Sequence, residues 1–323
     1  MDTANDGWDS EQDHEHGRGL ERHGGIVAYE IGVYTQDMEK LALKRLVRIS
    51  RPRFWIYLFG PYLLGIAAAL ATGLPLNVVL SNWRIWIFGV FFLFPANLLV
   101  YGVNDIFDYE TDKDNPKKQE YEALVLPTEH AGMWRSIGIA TLPFLLCLFG
   151  TTIGMQLAMA GFLFFSIGYS APPIRAKAKP FLDAAFNVLY VFPGFVSYFL
   201  LQSQAAFPWH SFIAASFWCM AMHAYSAVPD IWADRMAKVQ TIATTLGRQR
   251  TLWLCLALYA GAGMIASQTK LGVVGSVLGV TYVGLMVASL LTKDAEGLLI
   301  WYRRFPFINA MCGAMLFFAL IWF

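Results

Sequence analysis

Two clusters of acidic residues hold the chemistry that is legible in this chain. The first, NDIFDYETDKDN, runs from Asn104 to Asn115 and follows directly on a mostly apolar run, Trp83 to Val103. Asn104, Asp108 and Asp112 stand four residues apart, and Asp105 precedes Asp108 and Asp112 by three and seven. Such spacings put side chains on one face of a helix, so these four polar groups are expected to share a face. The second cluster, PDIWADRMAKVQT, follows the apolar run His210 to Val228 and carries Asp230 and Asp234 four residues apart. Carboxylates at the end of a membrane helix are costly without a partner. Hard oxygen donors grouped this way suit Mg2+, which keeps several waters and binds a few carboxylates together with substrate phosphates. Two such faces opposed across a cavity can hold Mg2+ with a diphosphate between them, where the metal offsets the charge that builds as the diphosphate departs. For either cluster alone, a solvated helix end is the competing explanation; the pairing favours the metal.

The elements that must position these clusters are membrane spans. The chain has 323 residues, 57% hydrophobic and 15% charged, a composition far from that of ordinary soluble domains. Its apolar residues fall in nine runs: Phe54–Thr72, Trp83–Val103, Ser136–Gly150, Ile153–Tyr169, Phe181–Leu201, His210–Val228, Leu252–Ser267, Leu271–Leu291 and Phe305–Phe323. They predict an all-α membrane protein of nine transmembrane helices. Because the acidic clusters follow the second and sixth runs, the helices are expected to form two four-helix units plus a ninth. Residues 1–37 are polar, aperiodic and expected to form a disordered cytoplasmic tail, with the transmembrane domain covering 38–323. From Met38 an apolar face alternates with Lys40, Lys44, Arg48 and Arg51, as in a helix lying against anionic lipid. The cysteines Cys147, Cys219, Cys255 and Cys312 all lie in apolar runs without metal-ligand spacing, and are expected to be packing residues.

Charge sets the orientation. With the N-terminus in the cytoplasm, 22 of the 24 Lys and Arg residues fall inside, leaving Arg84 and Lys270 outside. That is the positive-inside bias, and it places both acidic clusters on the cytoplasmic side and the C-terminus outside. The same side receives YSAPPIRAK, Tyr169 to Lys177, where two prolines end a helix and Arg175 and Lys177 project cations from a short loop. Beside two metal-binding faces these cations are expected to contact diphosphate; Lys113, Arg235 and Lys238 are further candidates. Asn97, Asn187, His223 and Asn309 are the conspicuous polar residues within spans, each expected to make a helix-to-helix hydrogen bond.

These residues resemble the UbiA-type intramembrane prenyltransferases. The likeness rests on NDxxDxxxD at Asn104, Asp105, Asp108 and Asp112, on DxxxD at Asp230 and Asp234, and on YSxPPxRxK at Tyr169, Ser170, Pro172, Pro173, Arg175 and Lys177. It extends from about Arg51 to the C-terminus. It implies nine helices around a central cavity open to lipid, with Mg2+ and an isoprenyl diphosphate at its cytoplasmic end. The chemistry implied is ionisation of the allylic diphosphate and attack of an electron-rich acceptor on the cation. Catalysis would fall to Asp105, Asp108, Asp112, Asp230 and Asp234, with Asn104, Asp108, Asp112, Asp230 and Asp234 holding metal and Asn104, Tyr169, Arg175, Lys177 and Lys238 binding diphosphate. Within the family, the stretches RPRFWIYLFGP and NDIFDYETDKDNPKK are similar to the lycopene elongase branch of carotenoid biosynthesis, which adds dimethylallyl units to lycopene, in some cases with hydration. Lys238 departs from the family pattern, which often has glycine there.

The expected partners are therefore an isoprenyl diphosphate, a lipophilic acceptor and the bilayer, with no nucleic acid. A hydrocarbon acceptor suits spans in which Asp183 is the only acid, because a buried hydroxyl or carboxylate on the acceptor would need a polar partner. Two other readings share part of the pattern. A prenyltransferase for a quinone, haem or chlorophyll precursor would carry every one of these motifs, and a transporter would place paired acids nearer the bilayer midplane.

Overall fold

The computed structural model describes residues 43–113, 123–236 and 238–322, and among these there are helices and turns but no strand. The polar tail and the start of the basic amphipathic stretch lie outside the described residues; a helix over 43–49 covers the end of that stretch. The chain divides into two compact units, Met1–Arg48 and Ile49–Phe323. The second unit holds all the expected spans in one body, so the two halves proposed from motif order are not separate modules.

Seven helices are long and apolar enough to cross a membrane. They are α1 (Pro52–Leu70), α2 (Trp83–Phe107), α4 (Ile153–Ser170), α5 (Leu182–Leu201), α7 (Ile242–Ser267), α8 (Val273–Leu291) and the last, α9, whose helix runs Ala295–Trp322. Two others stand where spans were expected. α3 (His130–Leu146) has only 17 residues, and α6 (Trp209–Ser226) carries two histidines and three serines. Helix starts differ most from the sequence boundaries where a cap lies upstream of the apolar run. α3 begins at His130 rather than Ser136 because the turn Pro127–Glu129 launches it, with the Glu129 carboxylate accepting the Leu126 N–H at 2.9 Å. α7 begins at Ile242 rather than Leu252, behind a Thr241 hydroxyl that accepts the Thr244 N–H at 3.2 Å. It then kinks at Gly247, whose φ of 73° a side chain would strain.

Most neighbours in sequence pack together, and α1 packs also against α5 and α9. α1 and α5 meet almost backbone to backbone: a Cβ at Gly65 would collide with the Gly194 carbonyl oxygen and Ser197 Oγ. The Ser197 hydroxyl donates to the Tyr62 carbonyl at 2.6 Å across the same seam. Lipid offers no hydrophobic drive for helices to associate, so small residues that let backbones approach supply the packing. Around this seam, Phe88, Phe91, Phe92 and Phe162 form one aromatic core. The stacked Tyr259 and Tyr282, 4.6 Å apart, anchor another among α6 to α9. The four cysteines are free thiols, with Cys219, Cys255 and Cys312 buried as expected.

α2 is two helices in line. It breaks at Phe94, and Pro95 opens its second half, which ends at Phe107. Asn97 donates to the Phe92 and Leu93 carbonyls at 3.0 Å each, and so repairs the break within its own span instead of bridging to another helix. Asn187 is likewise local, donating to the Asp183 carbonyl at 2.6 Å. Asn309 does bridge helices, accepting from the Tyr282 hydroxyl at 2.9 Å.

Replacing Gly65 with alanine should destabilise the protein by ~1–3 kcal/mol, the usual range for overpacking. Gly60→Ala on the same helix meets only the Ile56 side chain at 3.6 Å and should be near neutral. Thermal unfolding of the two variants in detergent measures the difference.

Candidate active site

The first acidic cluster does not lie on one helical face. Asn104 and Asp105 end the second half of α2, Asp108 leaves the helix at φ −108° and ψ 4°, and a new turn, Tyr109–Asp112, follows. Aspartate competes poorly for helix interiors and readily occupies such junctions. The consequence is that each acid meets a different partner. Asp105 is buried and binds Arg51 at 2.8 Å, Nη2 to Oδ1. Asn104 donates to Ser170 Oγ at 3.2 Å. Asp108 pairs with the Lys177 ammonium and stands 3.8 Å from the Arg175 guanidinium, which also donates to the Phe107 carbonyl at 3.3 Å. The backbone of Asp112 closes its turn, and its side chain lies outside the described residues.

The basic loop is shaped for this contact. The Ser170 end of α4 passes into the prolines Pro172 and Pro173, and Arg175 turns into the left-handed region at φ 42°. Arg51, at φ 53°, does the same on the other flank. Non-glycine residues seldom adopt this conformation, and its concentration in two arginines that grip the same acidic cluster marks a site where contacts outweigh local strain.

The second cluster is also segmented. α6 ends at Ser226, Asp230 lies in the following turn, and Asp234 sits in the short helix Ile231–Met236, its N–H donating to the Asp230 carbonyl at 2.8 Å. Asp230 is exposed and Asp234 half-buried. Partial burial, and then the Asp230 carboxylate, push Asp234 up from 3.8 to about 6, against a hydrogen bond with Thr241 that lowers it. Lys238, in the next turn, is exposed with φ 56°, the left-handed region for which glycine is the ready occupant. Its departure from the family glycine therefore keeps a glycine-like backbone.

Between the clusters lie Tyr169, Asp183 and His223. Tyr169 feels the charges of both Asp108 and Asp183, while Asp234 feels those of Asp183 and His223. The structure thus gathers the acidic clusters and the basic loop at the same end of the helices. An apolar groove of about 430 Å³, lined by Trp86, Ile87, Val90, Pro143, Phe144 and Cys147, lies at the start of α2 and takes no part in this site.

The donors suit Mg2+ in kind, since all are hard oxygens. The repelling pair Asp230 and Asp234 is the part of the set that most calls for a cation. Among the described residues, however, no group of three or more His, Cys, Asp or Glu side chains is close enough to hold an ion. The binding set expected from sequence thus includes Asp112, whose side chain is not described, and is not assembled from the described carboxylates alone.

The family model for UbiA prenyltransferases matches residues 58–297, the greater part of the chain. The chain belongs to the UbiA prenyltransferase family. Similar proteins include the lycopene elongase/hydratase of Haloarcula japonica, 36% identical over 88% of this chain and 93% of that protein. The lycopene elongase/hydratase of Haloferax volcanii is 35% identical over 85% of this chain and 87% of its own. A solved UbiA homolog from Archaeoglobus fulgidus, bound to DMAPP and Mg2+, shares the fold with a TM-score of 0.63 at 21% identity, covering 86% of this chain and 99% of that one. The protein is accordingly a multi-pass intramembrane prenyltransferase, and isoprenyl transfer is its chemistry. The transporter alternative falls with that membership.

In this UbiA protein several site residues escaped the motif reading. Arg51 registers in sequence as a positive flank, yet it is the counter-ion of Asp105 and also lies over the Tyr101 ring, 4.7 Å from its centroid. Tyr101 is one turn below Asp105 and sits beside Phe54 at 6.0 Å, while Tyr57 packs edge-on to Tyr190 at 6.2 Å. Helical periodicity on α2 could have picked out Tyr101, but nothing in the sequence places Tyr190 beside it. Asp183 registered only as an acid at a helix start. It is fully buried, with Oδ2 accepting the Ile242 N–H at 2.8 Å and standing 3.5 Å from His223 Nε2.

Removing one partner of a buried ion pair typically costs ~3–5 kcal/mol because a charge is left behind in a low dielectric. Arg51→Leu should therefore lower stability by about that amount, and adding Asp105→Asn should recover part of the loss. Denaturation of the single and double variants measures the coupling; additive losses would show that Arg51 does not hold Asp105.

Proposed function

We propose that this protein transfers dimethylallyl groups from dimethylallyl diphosphate to lycopene, in carotenoid biosynthesis and with Mg2+ as its cofactor. The observation that carries this reading is the likeness to lycopene elongase/hydratases over nearly their whole length. The site geometry agrees with it. Asn104, Asp108, Asp112, Asp230 and Asp234 would hold Mg2+, which when bound supplies positive charge to the departing diphosphate. Arg175 and Lys177, already turned toward Asp108, bind the diphosphate together with Asn104, Tyr169 and Lys238. Asp105 acts through Arg51, fixing the end of α2 against the start of α1. Below the charged layer, Tyr57, Tyr101 and Tyr190 are each partly accessible and offer aromatic faces to an allylic cation. Apolar walls around them keep water from that cation. A polyene needs no hydrogen-bonding partner at its reacting end, which suits this layer of rings.

In the bilayer we place nine spans, counting α3 and α6, around a central cavity open to lipid. The tail over 1–37 and the acidic end of the helices face the cytoplasm, in line with the charge bias, and the C-terminus lies outside. A reporter fused after Gly150 or Gln202 should then read as external, and one fused after Arg248 as cytoplasmic; a cytoplasmic signal at Gln202 overturns the topology.

The function is tested in cells that make lycopene and dimethylallyl diphosphate, with pigments examined by mass. Pigments heavier by one or two isoprenyl units are expected. In isolated membranes a chelator should stop their formation, and Asp108→Asn with Asp234→Asn should lower it by at least ~10–100-fold, the loss typical of disturbing even the outer partners of a metal. Unchanged lycopene, with prenylation of a supplied quinone precursor by the same membranes, overturns the choice of acceptor. Wild-type turnover by the correctly inserted double variant overturns the metal role.

A further inference from the structure

We propose that His223, oriented by Asp183, takes up the proton that prenyl transfer must release after the new carbon–carbon bond has formed. The inference rests on the transfer reading above and adds a group to it. The allylic C–O bond breaks with its electron pair leaving on diphosphate. A π pair of the acceptor then forms the C–C bond and leaves a positive charge on an acceptor carbon. That cation becomes neutral by shedding one proton, from an adjacent C–H when an alkene forms or from a captured water when an alcohol forms. In either case one proton needs a base. It passes to an imidazole nitrogen and from there to water at the open end of the site.

The other acids at this end are occupied. Asp105 is bound to Arg51, Asp108 to Lys177, and Asp230 and Asp234 belong to the metal set. Asp183 and His223 are a further pair among the described residues that none of these roles uses. Asp183 is 0% exposed, and among the described residues no lysine or arginine pairs with it. A buried carboxylate is costly unless paired, and His223 is its one ionisable partner, 3.5 Å from Oδ2. Its other oxygen, Oδ1, is buried without a hydrogen bond. Helix capping alone does not account for an acid here, because Thr241 already caps α7 and an amide oxygen would serve the Ile242 N–H equally well.

The imidazole is arranged as a base. Nε2 is the buried nitrogen and stands 3.5 Å from the carboxylate without a hydrogen bond, whereas Nδ1 is not among the buried atoms of a side chain that is 16% exposed. A carboxylate this close to one nitrogen favours the tautomer that leaves the other nitrogen free to accept, and it stabilises the imidazolium that results. His223 lies one turn inside the end of α6 and is crossed edge-on by the Tyr169 ring, 6.1 Å away. Tyr169 in turn feels Asp108, so the imidazole stands one aromatic ring away from the diphosphate-binding residues. That is where a cation formed next to the diphosphate would need to be quenched.

The test uses full-length protein in membranes with labelled dimethylallyl diphosphate, Mg2+ and lycopene. It follows substrate binding, diphosphate release and the fate of the label in wild type, His223→Gln and Asp183→Asn. Without the base, the adduct cation reverts and the allylic cation is eventually trapped by water. His223→Gln should keep substrate binding and diphosphate release, lose elongated pigment by ~100-fold or more, the usual share of a general base, and accumulate dimethylallyl alcohol instead. Asp183→Asn preserves the hydrogen bond to Ile242 and should move the same partition in the same direction. A wild-type partition in His223→Gln overturns the proposal. So does a parallel fall of binding, release and pigment, which would mark a structural role. Wild-type membranes that bind the diphosphate but never release it, whatever acceptor is supplied, overturn the transfer reading and this role with it.

Discussion

A carboxylate at the edge of a hydrocarbon layer cannot stand alone, and the organised end of this molecule follows from that constraint. Taking an ion out of water costs several kcal/mol unless another charge or a set of donors compensates it. Asp105 is met by Arg51 from the start of α1, Asp108 by Lys177 and Arg175 from the loop after α4, and Asp183 by His223 from α6. Each pairing ties together elements far apart in the chain. The acids therefore draw helix ends into one layer. Asp230 and Asp234 stand beside each other, and partial burial, followed by the Asp230 carboxylate, raises Asp234.

The family was legible in the sequence, while the arrangement of its motif residues was not. Acidic clusters after the second and sixth apolar runs, with a basic loop after the fourth, were enough to point to the UbiA family. The spacing argument served for Asp230 and Asp234, one helical turn apart, but for the first cluster it assumed that a helix continues through Asp108. At Asp108 the helix stops, and a face defined by periodicity has no meaning beyond its end. The positions of helix starts were lost for a related reason: caps such as Thr241 and Glu129 act upstream of the apolar run by which a span is recognised. Asp183 was visible as an isolated acid, but its partner lies 40 residues away on another helix, a relation no local pattern encodes.

Several of the spans are broken helices. α2 is interrupted at Phe94, α5 is built from a short turn, a 3₁₀ segment and an α-helix, and α7 kinks at Gly247. Within a membrane, irregular backbone is tolerated only where its polar groups find partners in the protein. Asn97 supplies them at the first break and Asn187 at the second. The polar residues of the spans thus serve chiefly to make bent helices affordable, and the bends are what turn side chains from several helices toward one volume.

The glycine contact between α1 and α5 bears on motion. Where Gly65 lies against Gly194 there are no side chains whose rotamers could shift to let the helices slide, and the hydrogen bond from Ser197 to the Tyr62 carbonyl pins their register. α1 also carries Arg51 at its end, and α5 carries Asp183, so this stiff spine fixes the separation between the anchor of the first acidic cluster and the partner of His223. Any widening that admits a long apolar molecule from the bilayer must therefore be hinged at other helix boundaries. The distance between the two ends of the charged layer is then a property of the resting protein and not something its substrates must impose.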